Sequence, residues 1–147
     1  MIINTKNFGN IEVLEESIIQ FSEGIPGFQE QKRFVIIENE DEENPFQWLQ
    51  AIDTPELAFV IINPFIFKKD YDFNIPESVV EKLNINSPHD IAIYTIVVVP
   101  EDIKKMTANL SGPVIINAKE KLAKQIILDD KRYNTKYPIF QDKGQEE

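Results

Sequence analysis

Cysteine is absent from the 147 residues, which excludes disulfides, thiolate nucleophiles and cysteine-based zinc sites. Histidine occurs once, as His89, so a metal site would have to rest on carboxylates with at most one imidazole. Positive charge is in deficit: Lys plus Arg total 15 against 25 for Asp plus Glu, a formal net charge of −10. Phosphate backbones are bound through a basic footprint, so direct nucleic-acid binding runs against the field of this chain. Apolar runs are short, IVVV at 96–99 being typical, and none approaches the length of a bilayer-spanning helix. The opening MIINTKNFGN lacks the basic and then apolar order of a secretory signal. These absences lead to the expectation of an acidic cytoplasmic protein without a cofactor or metal.

What is present is an ordinary globular balance, 42% hydrophobic and 27% charged, in a length suited to one domain with a real core. The expected domain covers 1–140, with 141–147, QDKGQEE, as a flexible polar tail. Short runs rich in Ile, Val and Phe alternate with turn residues, which is the pattern of strands. Strands are expected at 2–5, 10–14, 17–21, 33–37, 46–51, 57–62, 91–99, 106–110, 114–117 and 125–128. One helix is expected after Pro76, where Glu77 suits the positive end and Val79, Val80 and Leu83 share a face. The fold class is therefore mainly β, a small single-domain β-barrel or barrel-like sandwich with about one short helix.

Motifs for chemistry are sparse. In FSEGIPGFQEQKRF, residues 21–34, Gly24 and Gly27 flank Pro26. A phosphate-binding loop would need Lys and a hydroxyl after its last glycine, and Phe28 and Gln29 stand there instead. The geometric content is a type II turn with Pro26 at its first corner and Gly27 at its second, turning Ile25 and Phe28 back on the core. His89 lies in Ser87-Pro88-His89-Asp90, a turn before a strand rather than a triad, because triads join distant segments. Glu40, Asp41, Glu42 and Glu43 are consecutive acids without the alternating ligands and central glycine of a calcium loop, and read as a solvated loop. Alternation places Phe46, Trp48 and Gln50 on one face of a strand, with Trp48 half-buried. Asn63-Pro64-Phe65-Ile66-Phe67 puts two phenylalanines beside a proline in a loop, either as core plugs or as a sticky patch.

GIPGF at 24–28, FQWLQAIDTPELAFVIINP at 46–64, DY at 70–71, IVVVPED at 96–102, TANLSGPVIIN at 107–117 and KQIILDDKRY at 124–133, taken in order and spacing, resemble the flagellar assembly factor FliW family over nearly the whole chain. The resemblance implies a non-enzymatic cytoplasmic protein that binds flagellin and antagonises the RNA-binding translational repressor CsrA. A charge of −10 suits approach to a basic partner, and it allows either mimicry of RNA or a contact away from the RNA surface. Partner contacts are expected at Glu40, Asp41, Glu42 and Glu43, which would steer a basic protein, and at Asn63, Phe65 and Phe67. The rival classes are a carboxylate-based hydrolase in a small β-barrel, which would need a pocket of convergent acids, and a single-strand binder, which would need an electropositive groove.

Overall fold

The computed structural model describes residues 1–140; the expected polar tail lies outside them. The chain order is β1 (Ile2–Thr5), β2 (Gly9–Glu12), β3 (Ile19–Gln20), β4 (Arg33–Ile37), β5 (Gln47–Ala51), β6 (Ala58–Ile62), α1 (Glu77–Lys82), β7 (Ile91–Val98), β8 (Thr107–Ala108), β9 (Val114–Asn117), β10 (Leu122–Gln125) and β11 (Tyr137–Pro138). Neighbouring strands run β7-β6-β5-β4-β3-β10-β9, and β9 pairs back onto β7, which closes a seven-stranded barrel. Every pair in this ring is antiparallel except β3 with β10. β8 and β11 extend the sheet from the far half of β7, and β1 and β2 form a separate hairpin.

Period-two alternation explains the ring. Phe34 and Ile36, Leu49 and Ala51, Phe59 and Ile61, Ala92, Tyr94 and Ile96, Val114 and Ile116, and Ala123 share one interior cluster with Phe21 and Ile25. The alternate residues do not simply face water. Val35 joins Ile3, Val13 and Ile18 under the hairpin. Ile115 packs with Val79 of α1 and with Leu83 just past its end, and Ile62 and Val97 pack with Met106. Coverage on both faces is why Leu49, Gln50 and Ala51 are all fully buried in succession. It also corrects the simple alternation expected for β5. Gln50 is held by donating its amide to the carbonyls of Ala51, Pro55 and Leu57, while Trp48 is half-buried against Phe8, ring centroids 5.1 Å apart.

Three expected strands changed most: those at 125–128 and 17–21, and the one at 106–110, which shortens to Thr107–Ala108. The run expected at 125–128 pairs instead as β10, with Leu122 opposite Asn117. Asn117 sets this register: its Oδ1 accepts the N–H groups of Lys119 and Glu120, and Lys121 adopts φ 57 to close the turn. Ile126 and Leu128 are thereby released to the helix cluster. The strand expected at 17–21 shortens to Ile19–Gln20, because Glu15–Ser17 forms a 3-10 turn. β11, which has only two residues and includes a proline, carried no sequence signal.

The corner at 24–28 is a turn. Gly27 has φ 88, and Phe28 donates its N–H to the Ile25 carbonyl at 2.6 Å, as a type II turn requires. Ile25 is buried at 2% exposure, and Phe28 lies edge-on to Phe59 at 5.2 Å. In a separate cluster, Tyr71 donates its hydroxyl to the Leu110 carbonyl at 2.5 Å and lies edge-on to Tyr133. Burial, followed by the Tyr133 phenol, raises the Tyr71 pKa well above the ordinary value, so the hydroxyl remains a donor at any physiological pH. Tyr71→Phe should cost about 1 kcal/mol in urea unfolding without changing the slope, as expected for one buried hydrogen bond.

Candidate functional site

The β4–β5 loop and the chain leaving β6 emerge at the same end of the barrel, because antiparallel order brings the end of β4, the start of β5, the end of β6 and the start of β7 together. Side chains shape both loops. Asn39 Oδ1 accepts the N–H of Asp41, Asp41 Oδ1 that of Glu43, and Asn44 Oδ1 that of Phe46, each at 2.9 or 3.0 Å. Such local bonds are the reason Asn and Asp favour turns. Asn63 Oδ1 accepts the N–H of Phe65 at 2.9 Å and caps the 3-10 turn Pro64–Ile66, whose Pro64 is buried.

Two grooves flank these loops. The first, about 640 Å³, is bordered by Glu38, Glu42, Asn63 and Phe65 and by four consecutive β7 residues, Ile91, Ala92, Ile93 and Tyr94. The second, about 510 Å³, is bordered by Asp41, Glu43, Phe46, Phe67, Ile139 and Phe140. Asn44, Pro45 and Ile66 border both. Two groups of residues distant in sequence thus meet: Glu42, Asn63 and Phe65 in one groove, and Asp41, Glu43 and Phe67 in the other. Glu40 is exposed and lines neither.

The loop aromatics divide between core and surface. Phe67 stacks on Tyr137 at 5.9 Å and packs with the cluster around Ile62 and Met106, so it is a wall of the groove and part of the interior. Phe65 keeps 39% of its surface exposed and leans on Tyr71 at 5.9 Å. Beside it Ile66 is 53% exposed, an apolar surface that the sequence reading passed over between its two phenylalanines. Tyr94, Glu38 and Gln47 were also missed. Burial raises the Tyr94 pKa and the Glu38 carboxylate adds to this, against a hydrogen bond with Gln47. Its phenol is a neutral polar group at the groove wall. A signal existed, since the β7 run is longer than the β6 run and must overhang it.

Elsewhere the chemistry is structural. Ser87 Oγ accepts the backbone N–H of His89 at 3.3 Å, a turn contact rather than one to the imidazole. Among the described residues, no three His, Cys, Asp or Glu side chains are grouped to hold a metal ion. No helix among them is long and apolar enough to cross a membrane.

The sequence profile described as "FliW protein" matches residues 2–139. The flagellar assembly factor FliW of Alkaliphilus metalliredigens is 54% identical over 97% of this chain and 88% of its own length. The protein of the same name from Bacillus subtilis is 46% identical, over 95% of this chain and 96% of its own. A solved structure described as the flagellar assembly factor FliW superposes with a TM-score of 0.90 at 40% identity, covering 97% of this chain and 99% of that one. With a profile spanning almost every described residue and a barrel that superposes end to end, the chain belongs to the FliW family of flagellar assembly factors.

Proposed function

We propose that this flagellar assembly factor works in the cytoplasm without catalysis, by binding flagellin and, in competition with it, the translational repressor CsrA. The observation that supports this reading is the meeting of an acidic loop and an exposed aromatic turn around two grooves at one end of the barrel. An apolar groove suits an amphipathic segment of an unassembled subunit, and a carboxylate rim suits a basic protein. When flagellin accumulates it occupies the factor, and the freed repressor silences flagellin mRNA. When flagellin is exported, the factor returns to the repressor. Coupled binding equilibria suffice for this switch.

Immobilised chain should retain both flagellin and CsrA from purified solutions, and retention of neither would overturn the reading. Neutralising Glu40, Glu42 and Glu43 to Gln and Asp41 to Asn preserves the turn built on Asp41 Oδ1. The quadruple variant should lower the association rate with CsrA roughly tenfold at low salt and little at high salt, as steering does. A rate unchanged across salt would remove the steering role. Phe65→Ser should weaken partner binding with only a modest loss of stability, since the ring is already partly in water; loss of fold without a separable binding defect would assign Phe65 to the core.

A further inference from the structure

The first groove exposes the unpaired edge of a strand. β6 pairs with β7 only from Thr95 to Val97, ending at Ile62 opposite Thr95. β9 covers the other side of residues 91–94. Among the described residues no strand pairs with β7 on the β6 side of that stretch. Hydrogen bonds fix which backbone groups point outward. Ala118 donates to the Asp90 carbonyl and Asn109 donates to the Ile96 carbonyl, so even-numbered residues of β7 turn toward β9 and β8. Ile91 and Ile93, by the alternation of antiparallel ladders, turn toward the groove. The Ile91 N–H is used by the Pro88 carbonyl, which leaves the Ile93 N–H and the two carbonyls facing the opening.

We infer that this edge accepts an extended polypeptide segment carrying Lys or Arg at alternate positions, which adds a strand to the barrel along residues 91–94 in the place β6 vacates at Asn63. This rests on the reading that the chain acts by holding other polypeptides. Main-chain hydrogen bonds to an open edge supply affinity in strand addition, and flanking side chains supply selectivity. Here the flanking charges are of one sign: Glu38 and Glu42 border the groove, and no Lys or Arg among the described residues does. Apolar positions of the segment meet Phe65, Ile66 and Ala92. The occupant is thus an extended basic chain rather than an anionic or purely apolar one.

The test uses the full chain and a capped heptapeptide of alternating Lys and Val, with two twins N-methylated at the Lys nitrogens or at the Val nitrogens. All three carry the same charge. Strand addition predicts that the parent binds at low salt and that one twin binds at least tenfold more weakly while the other matches the parent. It also predicts that exchange of the Ile93 amide slows at least tenfold in the parent complex. Glu42→Lys, an exposed substitution, should weaken the parent several-fold. No binding by the parent, equal binding by both twins, or an unchanged Ile93 amide would each overturn the inference. Retention of flagellin and CsrA by the same protein separates that failure from failure of the proposed function.

Discussion

Phe34→Ala is expected to lower the unfolding free energy by about 3–5 kcal/mol, the range for removing a large aromatic from a packed core. Phe34 is 0% exposed and lies at the centre of the barrel. Its ring meets Phe21 edge-on at 5.1 Å and Phe59 at 6.2 Å, and Leu49 and Ile61 belong to the same cluster. These neighbours sit on strands held in a closed ring, so they have little freedom to collapse into the space left behind. A domain of this size has about 5–15 kcal/mol in total, so the variant should be near the limit of folding at 37 °C. Urea unfolding by tryptophan fluorescence reads the change, since Trp48 is the single tryptophan. A loss under about 1 kcal/mol would show that the interior repacks and that the ring is less rigid than its pairing implies.

Gly24→Ala should be the most damaging glycine-to-alanine change among the described residues. Gly24 has φ 68, and a Cβ there would lie 2.5 Å from Gln29 Cα and 2.6 Å from the Gln29 carbonyl oxygen. Both are backbone atoms, so no side chain can rotate away. Left-handed geometry alone costs about 1–2 kcal/mol for a residue with a Cβ, and the collision adds to it. Gly27 provides the control: its φ is 88, but nothing lies within 4 Å of the place a methyl group would take there. Gly27→Ala should therefore cost about 1–2 kcal/mol and Gly24→Ala distinctly more, read as the difference in urea midpoints at equal slope. Equal losses would mean that the turn relaxes around Gln29 and that only dihedral strain counts.

The barrel was legible wherever a strand carried its own boundaries. Ile2–Thr5, Arg33–Ile37 and Val114–Asn117 form where the sequence places them, because each is a compact β-branched or aromatic run between turn residues. The GIPGF corner was legible because Pro and Gly restrict backbone geometry locally. Register was not, since Asn117 sets the β9–β10 turn through side-chain bonds that no hydrophobic pattern reveals. Burial on outward faces was also hidden, since it depends on where the β1–β2 hairpin and α1 dock. In the site, the acidic run and the Asn63, Phe65 and Phe67 turn stood out individually by composition. Their meeting around shared grooves follows from strand order, a long-range property. The open edge of β7 follows from the same order, together with the difference in length between β6 and β7.

The central claim is that the chain acts through protein binding at this end of the barrel. A gel shift of CsrA on flagellin leader RNA tests it most directly, first with the chain added and then with purified flagellin added as well. The account predicts that the chain releases RNA from the repressor, that flagellin restores the repressor–RNA complex, and that Phe65→Ser weakens one or both steps. Repressor bound to RNA to the same extent throughout, with chain and flagellin present in excess, would contradict it.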